Sequence, residues 1–555
     1  MKRKKLLSAL IAASCCLAFA SGGCLEAAPA APQGVRIPAA ATDSTSTLLV
    51  WQRPADNDTA VAYNVYANGQ FIGSTKNGLA TKAGAAKSEF QSANESLCGN
   101  LLIDHNYKVT GLKPATSYTF TVRAIDKSGA ESPDSAAVVQ ATTAAPQVLK
   151  VTDYGAKGDG TTLNTAAIQK AIDATPAGGV LEIPAGTFVS GSLYLKSDMT
   201  LQLDKGAVLL ESAKAGDIEL GQPRYKGLIN VKGNLQNLRI VGEGAIDGNG
   251  WKMSDDATYY LKAKNIENKG RRNDMHVLNI GIGAAAQTQA SLDRGLAFKA
   301  AYNTRSTTVM LKNVTNLYLD GVTLRNPAMH MLSVDASQNV TLNDVDVFTY
   351  NANNGDGIDF DGNNLIIVNS VFDTGDDAIN FSAGMGAAAA KNPPVSDIWL
   401  FNNYIKHGHG GIVLGSHTGS WIQNLVGEDN IFDDTEISLR CKTGQGVGGG
   451  GRNVTFRHSV AKNMKRQGII FTTAYTDVNA VGTFEAAAPG QFHDILVEDV
   501  NIDGTGKAAI EINGVPEMKH KDITFRNVHF ARTHENKLDN YENVKFENVT
   551  YDYAE

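Results

Sequence analysis

Asn316-Leu-Tyr-Leu-Asp-Gly-Val322, Asn339-Val-Thr-Leu-Asn-Asp-Val345 and Asn364-Leu-Ile-Ile-Val-Asn-Ser-Val371 are three versions of one phrase. Each sets a polar Asn before a short strand-like run, then a turn, then a second apolar run. Looser copies begin at Asn237, Asp397, Asn453, Asp494, Asp522 and Asn543. The well-resolved steps are 23 and 25 residues, too short for a propeller blade, and the fixed Leu/Asn spacing of a leucine-rich repeat is absent. Short strands at this period with no helical pattern between them predict a solenoid of stacked β coils. The fold expected is all-β: a right-handed parallel β-helix over 151–555, with corresponding positions forming columns about 4.8 Å apart.

Outward from the repeat, Asp153 to Ile172 passes from a Gly-rich turn into helical periodicity, with Asn164 or Thr165 as the cap. This helix should close the open end of the coil. The GxxxxGK[ST] order of a phosphate loop is absent, so nucleotide binding is not expected. Ala/Pro stretches at 27–32 and 141–146 bracket a module at 33–145 with period-two runs such as Tyr63-Asn-Val-Tyr66 and Tyr118-Thr-Phe-Thr-Val122. Its Leu112-Lys-Pro-Ala-Thr-Ser-Tyr118 resembles the tyrosine corner of a fibronectin type III β-sandwich, which makes Trp51 a core residue.

The chain opens with Lys2-Arg-Lys-Lys5 and an apolar run to about Ala20, a signal peptide over 1–26 too short to span a membrane. Gly23-Cys24 offers an alternative lipid-anchor site. The expected location is therefore secreted or periplasmic, with a surface lipoprotein as the variant. Cys15 and Cys16 leave with the signal; Cys24, Cys98 and Cys441 remain, too scattered for a disulfide framework or a metal site. With 57 acidic against 50 basic residues, no global field attracts nucleic acid.

Polar groups concentrate between 350 and 445: Asn354-Gly-Asp356-Gly-Ile-Asp359, Asp373-Thr-Gly-Asp376-Asp377, His407-Gly-His409-Gly-Gly411 and Arg440-Cys-Lys442. Asp356 precedes Asp376 by about one coil, which should bring their side chains together. Crowded carboxylates cannot all ionise easily, so at least one pKa should rise, giving a proton donor beside ionised neighbours that activate water. Successive strand residues face opposite ways, so Asp376 and Asp377 share a site only at a strand end or bulge. Arg440 and Lys442 fall on one strand face.

At these residues the chain resembles glycoside hydrolase family 28, the polygalacturonases, through Asn354-x-Asp356, Gly375-Asp376-Asp377, Gly408-His409-Gly410 and Arg440-x-Lys442 in that order. Gly355 and Ala378 depart from the family's common Thr and frequent Cys, and neither change removes a titrating group. The resemblance implies Asp376 as general acid, Asp356 and Asp377 as activators of water, and His409 as the neighbour that tunes the acid. It implies Arg440, Lys442 and Asn354 as substrate-binding groups, with no metal and no cofactor. With the N-terminal module it implies an exo-acting enzyme on polygalacturonate or oligogalacturonides, releasing digalacturonate or galacturonate with inversion. Arg271, Arg272, Arg305, Arg325, Lys406 and Arg452 are further candidates for a basic cleft. The rivals are an endo-polygalacturonase or rhamnogalacturonan hydrolase, a calcium-dependent pectate lyase, and a non-catalytic pectin-binding protein. Trp251–Arg305, Ala383–Pro394 and Gly444–Gly451 fit the repeat poorly and are candidate walls for a cleft blocked at one end.

Overall fold

The computed structural model describes residues 28–55, 58–252, 280–477 and 483–554. The expected signal segment with Cys24, and Arg271 and Arg272, lie outside the described residues. Each coil of the body contributes three short strands. In one coil these are Val309–Lys312, Val314–Asp320 and Thr323–Arg325, and each pairs in parallel with its counterpart on the next coil. The stacked strands make a first, second and third sheet around one core. In the first sheet the register runs Ile358, Ile379, Ile412, Leu439, Ile469, and the next inward column is Phe360, Phe381, Leu414, Cys441, Phe471. All ten are fully buried. The all-β reading and the parallel β-helix therefore hold, and the stacking explains why every second residue of these runs is apolar.

The repeated Asn has a backbone reason. Asn316, Asn339 and Asn364 have φ of 63°, 56° and 58°, the left-handed region that Asn and Asp tolerate better than other side chains. Asn339 Nδ2 donates to Asn316 Oδ1 at 2.9 Å and Asn364 Nδ2 to Asn339 Oδ1 at 2.8 Å, forming a ladder along the corner before the second sheet. Asp198 and Asn424, missed in the repeat, belong to the same ladder.

The helix Thr165–Ala174 buries Ile168, Ala171 and Ile172 in the core. Asn164 stands at its N-cap, but its side chain accepts from Lys157 N at 2.7 Å and so fastens the Gly-rich turn instead of the helix.

Ahead of the coil, an antiparallel pair (Thr47–Val50, Asn106–Val109) and a four-stranded sheet form the β-sandwich. Trp51 is fully buried, edge-on to Tyr63, and Tyr118 Oη accepts from Lys113 N at 2.9 Å, closing the expected corner. The helices Lys82–Ala93 and Glu95–Cys98 were not expected within a sandwich. Phe90 and Cys98 pack on Ile431 and Val460 of the coil, while Ala41, Leu48 and Val50 pack on Tyr318, Ile366, Val368 and Phe401. At the centre of this seam Asp429, fully buried, takes Arg53 Nε at 3.1 Å, His105 Nε2 at 3.3 Å and Ile103 N at 2.8 Å.

Candidate active site

The polar groups singled out in the sequence gather where the chain turns from the third sheet into the first. On successive coils this turn carries His330, then Asp356, then Asp376 and Asp377, then His409, then Glu436. Asp376 and Asp377 stand just before the strand Ile379–Phe381, a strand entrance, which is how two adjacent residues share one site. One register differs from expectation. Gly357 N donates to Asp377 O at 2.9 Å, so the residue stacked on Asp356 is Asp377, 21 residues on, and Asp376 lies one position off the column.

The three aspartates are partnered unequally. Asp377 is almost wholly buried and accepts from Lys442 Nζ at 2.6 Å and Arg440 Nη1 at 3.1 Å. Arg440 and Lys442 do lie on one face of Leu439–Lys442, with Cys441 turned into the core. Burial works against their charges, but Asp377 and its neighbours outweigh it and both pKa values end above the ordinary range. Both cations therefore already hold Asp377. Tyr475 covers them from outside, with Lys442 Nζ 4.8 Å from its ring centre.

Asp376 meets His409 instead, Oδ1 to Nδ1 at 2.7 Å, and the other ring nitrogen of His409 lies 3.8 Å from Glu436. Glycines on both sides make this approach possible. A Cβ on Gly408, whose φ is +80°, would come within 2.5 Å of Thr374 Oγ1, and one on Gly410 within 2.5 Å of Val413.

Asp356 receives no lysine or arginine ion pair among the described residues; His330 Nδ1 is 3.1 Å from it and 3.6 Å from Asp359. Burial first, then repulsion from Asp376 and Asp377, pushes the Asp356 carboxyl well above the usual carboxylate range. Burial, with Asp356 next, lifts Asp359 to about 7, and burial pulls His330 down. The expectation that at least one acid is raised is met at Asp356 and Asp359, with burial the first cause and neighbouring carboxylates the next.

The remaining candidates divide. Asn354 adopts φ 56°, and its side-chain oxygen accepts from Arg305 Nη2 at 3.0 Å. Arg305 is fully buried, also donating to the carbonyls of Tyr302, Ala328 and Asn353, so it braces this turn and is no cleft residue. Arg325 pairs with Asp247 at 2.7 Å, while Lys406 and Arg452 stand on strands of the third and second sheets. Missed in the sequence were His330, Glu436, Tyr475 and Arg224; none sits in a repeated phrase, and only column register would have found His330.

Two walls rise beside the first sheet. The turns that follow its strands join through Gly386 N to Val447 O (2.8 Å), Ala387 N to Glu485 O (2.9 Å) and Gly419 N to Gly384 O (2.7 Å). On the opposite margin stand the helices Gly283–Asp293 and Phe298–Tyr302, fixed by Gln287 on buried Glu211 and by Arg305.

A model of glycosyl hydrolases family 28 matches residues 287–550, a rhamnogalacturonase A/epimerase, pectate lyase-like model matches 148–214, and a fibronectin type III model matches 30–140. An exo-poly-alpha-D-galacturonosidase of Dickeya chrysanthemi is 41% identical, the match covering 99% of this chain and 94% of that protein. The solved family 28 exopolygalacturonase of Yersinia enterocolitica is 36% identical with a TM-score of 0.83, covering 94% of this chain and 98% of that one. An exopolygalacturonase from Thermotoga maritima, 24% identical with a TM-score of 0.58 over 73% of this chain and 92% of its own, shares the fold.

Proposed function

The chain belongs to glycosyl hydrolase family 28, and from that premise we propose that it is an exo-acting polygalacturonase, cleaving α-1,4-galacturonosidic bonds of pectate from a chain end. The observation that carries the chemistry is the unequal partnering of three aspartates: Asp377 on two cations, Asp376 on an imidazole, Asp356 without a basic ion-pair partner from lysine or arginine among the described residues. Such a cluster shares protons, and its titration belongs to the group.

With the shared proton on Asp376, that carboxyl donates it to the glycosidic oxygen as the C1–O bond breaks. His409, in the tautomer protonated at Nδ1, donates a hydrogen bond to Asp376 Oδ1 and fixes the acid's orientation, leaving the transferable proton on Oδ2. Relieved of one negative neighbour, Asp356 takes a proton from the water that attacks C1 on the opposite face, and Asp377 orients that water. The product inverts at C1, as two carboxyls flanking a bond and its water require. Arg440 and Lys442 hold Asp377 and offer their outer edges, beside Tyr475, to a substrate carboxylate. Asn354 borders the same turn. Cleavage from an end, releasing digalacturonate or galacturonate, fits two walls enclosing the first sheet.

Ligand atoms of His330, Asp356 and Asp359 lie within 4.8 Å of one another, the spacing of a cation site. Arg224 and Lys442 place two positive charges beside this cluster, a field that opposes a divalent cation and favours hydrolysis over calcium-assisted elimination. No helix among the described residues is long and apolar enough to cross a membrane. A secreted or periplasmic enzyme of pectin breakdown, with its leader in 1–26, fits this reading.

A chromatographic time course on polygalacturonate with chelator present tests it. Saturated monomer or dimer should accumulate while long chains persist. A ladder of intermediate oligomers would overturn exo action, and unsaturated products abolished by chelator would overturn hydrolysis.

A further inference from the structure

Arg224 belongs to the turn between Ala207–Glu211 and Ile229–Val231, the same corner of the coil that carries the site residues three rungs later. Its neighbour Tyr225 is buried against the opposite wall, with Tyr225 N donating to Thr304 O at 2.9 Å and Arg294 Nη1 to Tyr225 Oη at 2.7 Å. Arg224, the residue before it, is half-buried in the same turn. There its charge acts on Asp359, Asp356, His330 and Asp477. Asp477 follows the strand Gln467–Thr472, and the register from Ile229 to Ile469 spans seven rungs, about 34 Å at the usual rung spacing. Arg224 and Asp477 thus come from turns rooted that far apart and lie within electrostatic reach of each other.

Arg440 and Lys442 are committed to Asp377, Arg305 to backbone carbonyls and Arg325 to Asp247. Arg224, by contrast, makes no side-chain hydrogen bond or ion pair within 4 Å to any of the described residues. A half-buried guanidinium left open in this way has its fork available for an incoming anion.

We propose that Arg224 binds the carboxylate of the galacturonyl unit seated beside Asp356 and Asp359 in the cleft, and so selects for the free acid at that unit. The proposal rests on the polygalacturonase reading for its ligand. A charge-assisted fork on carboxylate corresponds to roughly a 10- to 100-fold change in affinity.

The test is calorimetric binding of digalacturonate and of its dimethyl ester to the full chain, carrying Asp376→Asn to prevent turnover, with and without Arg224→Gln. Arg224→Gln should weaken digalacturonate about 10- to 100-fold and change the dimethyl ester less than about 2-fold, with an unchanged melting temperature. Arg224→Lys, which keeps the charge without the fork, should fall between. Equal weakening of both ligands, no weakening of the acid, or failure of the parent to bind either would overturn the assignment. Hydrolysis of polygalacturonate by the wild-type chain is read separately, so failure of the parent activity is distinguishable from failure of this site.

Discussion

Two buried acids of this chain, Asp429 and Asp356, occupy turns two coils apart and have opposite fates. Asp429 faces the N-terminal sandwich and takes a guanidinium, an imidazole and a backbone N–H. Burial pushes its pKa up, yet Arg53, His105 and the amide of Ile103 outweigh burial and hold it below the usual range. Asp356 faces the cleft with like charges as neighbours and ends far above that range. Burial alone therefore does not set the state of an acid; what is buried with it does. The docking face uses its charges to hold two units together, while the cleft face leaves one proton in contention.

The largest effect expected from breaking this contrast is on turnover. Asp376→Asn should lower kcat by roughly 10²- to 10⁴-fold with little change in melting temperature, and near-normal kcat would remove Asp376 from the acid role. Next, Asp429→Ala strands Arg53 and His105 and should cost about 3–5 kcal/mol of stability in urea unfolding while kcat per folded molecule stays put. Asp356→Asn should do the reverse, abolishing activity with stability held or raised. If both variants lost stability alike, the contrast would fail.

A smaller effect is a slope. The folded chain keeps the Asp359 proton up to about pH 7, whereas the unfolded chain gives it up near 3.8. Stability should therefore fall as pH climbs through that window, by up to about 1.4 kcal/mol per pH unit, and Asp359→Asn should flatten the fall. The smallest concerns Lys108, which pairs with Asp320 across the seam but is 37% exposed along its side chain. Lys108→Met should cost less than about 1 kcal/mol, measured against Asp429→Ala in the same unfolding assay.

The coil was legible because one backbone need recurs. A left-handed corner on every rung selects Asn or Asp, and that selection is visible as a period. Arg440 and Lys442 were readable as one face because strand alternation is strict, although their partner was not, since it stands two rungs away across steps of unequal length. His330, Arg224 and the two docking helices escaped because they stand in turns and insertions, where no period constrains the residue type. Arg305 was misread because a buried arginine satisfied by carbonyls leaves the same mark in a sequence as one aimed at a ligand.

The three corners of each coil are not equivalent. The corner between the second and third sheets keeps to a few residues on coil after coil, as at Asp320–Thr323, Asn343–Asp346 and Val368–Val371. The other two accept insertions as large as the segment between Asp247 and Val309. The sandwich is docked on the constant corner, through Asp320, Asn369, Asn402 and Asp429. Loop exchange at the variable corners should thus be modular: a wall could be lengthened, shortened or transplanted from a relative without retooling the mount on which the rest of the molecule is carried.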